Sequence, residues 1–247
     1  HKPKIDEMLG GLDILFLPNI QFVSVSSKCR LITTIHDISF EKFPEFYTLK
    51  SRLWQKAVNP KRLIHASDSI ISVSNHTKND IIDKYNISEE KIHVIYSGIS
   101  KIYRTINDRT ILDNVRRKYN LPQKFLLYLG NLEPRKNIES IILAFKNSVV
   151  PNDIHLVIAG TNSWKYKNLY TTAKDVLGRV HFIGYVPEED KVPLYNMALV
   201  FIYSSYYEGF GFPPLEAMAC GIPTIVSHSS SLAEVVSDAS LLINPYN

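Results

Sequence analysis

The sequence predicts an α/β protein of two parallel-sheet domains, the first of them incomplete. Three observations carry that expectation. Apolar strand-like runs alternate with helical patterns almost from end to end, as they do when helices cover the faces of a parallel sheet. A polar stretch over roughly residues 97–122 breaks the rhythm, and a fresh strong strand follows it. The chain has 247 residues, 45% apolar and 21% charged, enough for one large or two medium globular domains.

Taken in order, strand-like runs fall at 12–17, 31–35, 69–73 and 93–95, and then at 125–129, 155–159, 180–183, 199–203, 224–226 and 241–243. They are short and largely apolar, as strands buried on both faces are. Helical patterns lie between most of them, at 48–66, 75–85, 110–118, 138–147, 165–177, 188–197, 213–220 and 231–236. Pro60 inside the first predicts a kink or two shorter helices, and Ser74 is placed to cap the second. Glu188, Glu189 and Asp190 suit the acidic first turn of a helix. Pro213 and Pro214 suit another first turn, which Gly221 ends and Pro223 prevents from resuming. The expected division is an N-terminal domain over 1–98, a connection over 99–122 and a C-terminal domain over 123–247. The first domain opens abruptly without a Gly-rich first turn, so truncation at the front is expected, and also at the back, where residues 244–247 add no closing element.

Composition narrows the function. No apolar run approaches the ~20 residues of a membrane span, and no signal peptide opens the chain. Cys29 and Cys220 are the only cysteines, which fits a reducing cytoplasm and gives no disulfide scaffold. The net charge of +4 allows peripheral contact with phosphate groups or an anionic membrane surface. Lysines and arginines read as scattered among acids, without the basic stripe of a nucleic-acid binder. There is no Asp-x-Asp pair, no His/Cys cluster at metal-ligand spacing, no phosphate loop ending in Gly-Lys-Ser/Thr and no Gly-x-Ser-x-Gly elbow. A phosphate would therefore be met by side-chain cations and helix ends, and no metal is expected.

The chemistry concentrates in Glu208-Gly209-Phe210-Gly211-Phe212-Pro213-Pro214-Leu215-Glu216, between a buried strand and a short helix. Such a loop lies at the carboxyl end of a strand, where open α/β sheets bind ligands. Its glycines let a ligand approach the backbone, and the two carboxylates suit hydroxyl groups. The plainer alternative is that Glu216 only complements a helix dipole and the glycines only make a turn. Arg135 and Lys136 precede another helix start on a loop at a strand end. Two cations oppose the dipole there, so either they hold an anion or they face solvent with Glu133 partly compensating. His36-Asp37 closes the strand 31–35 and suits proton handling or a sugar hydroxyl, unless Asp37 only caps the turn. Tyr185 and Val186 follow a third strand end.

With these residues in hand, the chain resembles the family-4 (group 1) retaining glycosyltransferases. The two glutamates separated by seven residues at 208 and 216, the continuation through Ser227, the Gly130–Asn137 loop, the strand ending at Gly160, residues 182–186, the helix around Glu234 and His36-Asp37 all match that family's motifs. The resemblance runs from about residue 12 to the end. It implies a GT-B fold, two Rossmann-like domains facing a cleft, and transfer of a hexose with retention and without a metal. The donor would be a nucleotide sugar, GDP-mannose by the local texture around 160–164 and 206–214, with a UDP-sugar as the alternative. The acceptor would be a glycan or a lipid-linked sugar, in bacterial-type polysaccharide or lipopolysaccharide synthesis at the cytoplasmic side. By position, Arg135 and Lys136 would bind the donor diphosphate, and Glu216 the ribose. Glu208 would hold the transferred sugar, with Gly209, Phe210 and Gly211 assisting through backbone N–H groups. Tyr185 and Val186 would flank the base, and His36 would reach the donor sugar as a catalytic partner of Glu208. Two other readings share the fold: a non-catalytic nucleotide-sugar-binding remnant, and a nucleotide-sugar epimerase that needs no acceptor.

Overall fold

The computed structural model describes residues 3–161, 163 and 167–247. The chain divides into two compact units, His1–Ser97 and Gly98–Asn247.

In the first unit, α1 (Ile5–Met8), β1 (Ile14–Leu17) and β2 (Arg30–Ile35) are followed by α2 (Ser39–Lys42), α3 (Leu49–Val58), α4 (Pro60–Ala66), β3 (Ser69–Ser72), α5 (Asn75–Tyr85) and β4 (Ile92–Val94). The four strands pair in parallel in chain order. The expected long helix over 48–66 is two helices. Asn59 stands between them in the left-handed region, and its side chain accepts the Arg62 N–H at 3.1 Å, with Pro60 opening α4. Ser74 caps α5 as its position predicts, accepting from the Thr77 N–H at 3.1 Å. The face of α5 that meets the sheet carries Thr77, Asp80, Ile81 and Tyr85, a helical stripe. Helices α1 and α2 escape periodicity because each spans a single turn.

The second unit runs α6 (Arg109–Lys118), β5 (Lys124–Leu129), α7 (Ile138–Asn147), β6 (Ile154–Ala159), α8 (Lys167–Thr172), β7 (Val180–Gly184), α9 (Glu188–Met197), β8 (Val200–Tyr203), α10 (Phe212–Ala219), β9 (Thr224–Ser227), α11 (Ser231–Val236) and β10 (Leu241–Ile243). Its six strands are all parallel, in the order β10-β9-β8-β5-β6-β7. From β5 the chain winds one way to β7, crosses back, and winds the other way from β8. The reversal point lies between β5 and β8, and in such sheets that crevice is where ligands bind. The core is built from strand residues closed on both faces, among them Phe125, Leu127, Val157 and Phe201, and from the stripe Ile138, Ile141, Ile142 and Phe145 of α7.

Residues following Ser97 are tied to this second unit. Tyr103, Val115 and Leu121 lie in its core, and Asn196 of α9 accepts the Ile106 N–H at 2.8 Å and donates to the Arg104 carbonyl at 3.0 Å. The helix expected over 165–177 is shorter. It ends at Thr172, whose hydroxyl donates to the Asn168 carbonyl at 3.0 Å, and a single tight turn follows over Lys174–Val176. Residues 165 and 166 of that expectation lie outside the described residues. Each unit holds one free cysteine: Cys29 in the first and Cys220 at the end of α10 in the second, both buried. Burial pushes both thiols up, that of Cys220 to about 11.

Candidate functional site

The carboxyl end of β5 leads into a loop that bends through a tight turn, Pro134–Lys136, before α7 begins. The carboxyl end of β8 leads into the loop 204–211, which ends at α10. These two strands are neighbours, so the two loops meet across the reversal point. Their backbones are joined: the Tyr206 N–H donates to the Arg135 carbonyl at 2.9 Å, and the Ser204 hydroxyl to the Asn137 carbonyl at 2.9 Å.

At that junction Glu208, only 7% exposed, meets both predicted cations. Lys136 Nζ lies 2.5 Å from its Oε1, and an Arg135 guanidinium nitrogen 2.8 Å from its Oε2. Arg135 also reaches Glu133 Oε1 at 2.8 Å and the Tyr207 carbonyl at 2.5 Å. The Tyr203 hydroxyl accepts from Lys136 at 2.8 Å and donates to Glu208 at 3.1 Å. Burial alone would raise the Glu208 carboxyl, but Lys136 and Arg135 more than reverse that and hold it at about 2. Two cations and two carboxylates thus form a set of zero net charge, with Lys136 and Glu208 buried and Arg135 and Glu133 partly so. Of the two expectations for Arg135 and Lys136, the solvent-facing one is corrected here: Glu208, 73 and 72 residues downstream, pairs with both.

The glycine loop is fixed from behind by α11. The Glu208 N–H donates to Ser230 Oγ at 2.8 Å, and the Ser231 hydroxyl donates to the carbonyls of Glu208 at 2.8 Å and Phe210 at 3.0 Å. Ser230 adopts φ 55°, a conformation disfavoured for serine that these bonds hold in place. Gly211 caps α10 at φ 106°, and a side chain there would stand 2.5 Å from Leu232 Cδ2. Pro213 and Pro214 occupy the first turn of α10, so two of its terminal N–H donors are absent. Donors to a ligand must come mainly from the loop.

Glu216, partly exposed on α10, takes a different setting. Its Oε2 accepts from Tyr195 of α9 at 2.8 Å, a partner no local sequence signal announces. Burial raises its carboxyl, and the Tyr195 hydrogen bond and the charge of Lys191 oppose that only in part. Tyr185 and Val186 sit beyond β7 on the same sheet edge, two strands away from β5, with Tyr185 67% exposed and Val186 buried. The strand ends between them are tight: a side chain at Gly160 would stand 1.8 Å from the Gly130 carbonyl oxygen.

In the first unit, His36 follows β2 and its Nε2 lies 2.9 Å from the Pro18 carbonyl oxygen. Asp37 does not orient that ring: its Oδ1 accepts from the Ser39 N–H at 2.9 Å and hydroxyl at 2.6 Å, a turn cap. His36 lines a cavity of about 370 Å³ with Asn19, Phe40 and Trp54. Among the described residues no group of three or more His, Cys, Asp or Glu side chains is arranged to hold a metal ion.

Two family models match the chain: glycosyl transferases group 1 over residues 113–247 and glycosyltransferase family 4 over residues 11–101. A curated relative, O-antigen chain mannosyltransferase B of Escherichia coli, is 34% identical over 223 residues, covering 87% of this chain. The chain spans 58% of that relative's length. Among solved structures, sucrose-phosphate synthase from Thermosynechococcus elongatus superposes with a TM-score of 0.74 at 21% identity, over 98% of this chain and 63% of that one. Anabaena HepE in complex with UDP-glucose gives 0.73 at 20% identity, over 88% and 59%. At those identities the two structures speak for the fold.

Proposed function

The chain belongs to the group 1 glycosyl transferases, and from that membership we propose that it moves a hexose, mannose, from a nucleotide sugar to a glycan or lipid-linked acceptor in polysaccharide or lipopolysaccharide synthesis. The observation that carries this reading is the convergence of Arg135, Lys136 and Glu208 at the reversal point between β5 and β8.

In this reading the donor diphosphate takes over the two cations, and Glu208 turns to the hydroxyls of the sugar. Arg135 and Lys136 then face the charge that develops on the departing nucleotide as the bond to the anomeric carbon breaks. Gly209, Phe210 and Gly211 supply backbone N–H donors, and Glu216 takes the ribose hydroxyls. Tyr185 and Val186 flank the base, and His36 serves the donor sugar. Transfer proceeds with retention and without a metal. GDP-mannose is the preferred donor, supported by the mannosyltransferase relative, and a UDP-sugar is the alternative, supported by the UDP-glucose complex of HepE. The protein works at the cytoplasmic side of the membrane, in peripheral contact with it.

Calorimetric titration with GDP-mannose, UDP-glucose, GDP and UDP, without added metal, tests the donor site. Binding of one nucleotide family, lost in Arg135→Ala/Glu216→Ala, is the expected result. A folded chain that binds none of them at millimolar concentration overturns the reading.

A further inference from the structure

Among the longer helices of the first unit α3 stands apart from α4 and α5, because only Val58 of its ten residues is buried. Leu49 is 76% exposed, Leu53 67% and Trp54 51%. At about 3.6 residues per turn, Leu49, Leu53 and Ala57 form one outward stripe. Arg52 and Lys56 flank it on one side, Lys50 and Trp54 on the other. Phe22, itself half-exposed, meets the Trp54 ring edge-on at 6.4 Å. Exposed apolar side chains in a contiguous stripe, rimmed by cations, mark a surface that meets something else.

The charge says what. The expectation of cations scattered among acids fails here: from residue 46 to residue 67 there are five cations, Lys50, Arg52, Lys56, Lys61 and Arg62, and no acid. The chain has 28 basic and 24 acidic residues, which leaves 23 against 24 everywhere else. The whole positive balance of the molecule resides on this one segment. No ion pair involves any of the five among the described residues, in contrast to Lys42 and Lys84, which pair with Asp80 and Glu41. A protein partner or a nucleic acid would answer the charge, but a nucleic acid gives no reason for two exposed leucines between the cations. A lipid surface answers both, with acyl chains for Leu49, Leu53 and Trp54 and anionic headgroups for the flanking cations.

We propose that α3 and the turn into α4 form a docking surface for an anionic lipid bilayer. The surface deepens the peripheral membrane contact of the proposed function and rests on that part of it. Trp54 also lines the cavity that holds His36, so docking brings that cavity to the lipid interface, where a lipid-linked acceptor would be presented.

The test uses no nucleotide, so its failure is distinct from failure of the donor site. The chain has two tryptophans, and Trp164→Phe leaves Trp54 as the sole reporter. Flotation with phosphatidylcholine vesicles carrying about 30% phosphatidylglycerol is compared with pure phosphatidylcholine. The expected result is binding to the anionic vesicles alone, with a blue shift of Trp54 emission. Each of Lys50→Gln, Arg52→Gln and Lys56→Gln should weaken it about fivefold. Leu49→Ser/Leu53→Ser should abolish the blue shift while circular dichroism stays unchanged, since both side chains already face water. Absence of binding by the folded chain overturns the proposal. So does binding that leaves Trp54 emission unmoved and ignores the leucine substitutions. A solution dimer that Leu53→Ser dissolves would overturn it too, assigning the stripe to a second copy.

Discussion

Glu208 and Glu216 stand at the two ends of one loop-and-helix start, are the same chemical group, and are set up in opposite ways. Glu208 is buried beside Lys136 and Arg135, and the cations hold its carboxyl at about 2. Glu216 has no cation in ion-pair contact among the described residues; its partner is the Tyr195 hydroxyl, and burial moves its carboxyl upward. One carboxylate is therefore part of what keeps two loops together, and the other is a poised hydrogen-bonding group kept in place by a phenol. Environment, and not residue type, separates the two roles.

The sharpest way to break this contrast is truncation of each glutamate. Glu208→Ala leaves the buried Lys136 and the partly buried Arg135 short of a partner and should cost about 3–5 kcal/mol in urea unfolding, whereas Glu216→Ala should cost under about 1 kcal/mol. Equal losses would dissolve the distinction. Acid comes next. The Glu208 carboxyl is depressed by folding, so its contribution is complete above the ordinary carboxylate value near 4.3 and is lost as pH falls toward about 2, a swing of about 3 kcal/mol. The raised Glu216 carboxyl works with the opposite sign: its contribution is present below the ordinary value and lost as pH rises through its folded one. Stability curves of Glu208→Gln and Glu216→Gln against pH should therefore approach wild type at different ends, the first in strong acid. Gly211→Ala tests the loop that separates the two. A left-handed backbone and the clash with Leu232 should cost about 1–3 kcal/mol and weaken nucleotide binding in the calorimeter. Tyr195→Phe breaks the same hydrogen bond as Glu216→Ala and should have an effect of similar small size, about 1 kcal/mol or less. In a carboxylate-resolved NMR titration it should raise Glu216 further and leave Glu208 where it is.

How much of this was legible in the sequence follows from where each interaction lies along the chain. The ten strands among the described residues lie within a residue or two of their apolar runs, and α5, α7, α9 and α11 match their periodic segments end for end. Those features are local. The pairing of Arg135 and Lys136 with Glu208 spans more than seventy residues and depends on β5 lying beside β8, an adjacency that periodicity does not encode. The sequence places these residues on loops at strand ends but does not announce that they pair with one another. Tyr195 is hidden for a similar reason. It reads as one more apolar position of α9, and only the packing of α10 against that helix brings Glu216 to its hydroxyl. The exposure of the α3 stripe is hidden for a further reason: helical spacing of leucines does not tell a covered face from an uncovered one, and among the described residues Leu49 and Leu53 lie open.

The two cysteines have a practical consequence. One thiol is sealed in each compact unit, and both are shifted toward the protonated form. A thiolate-seeking alkylator at neutral pH can label either only when its surroundings open. The labelling rates of the two cysteines, separated by peptide mapping, therefore clock the breathing of the two halves separately, in a single tube and on the unmodified chain. A ligand that tightens the Glu208 loop should slow the Cys220 clock and leave the Cys29 clock running at its own pace.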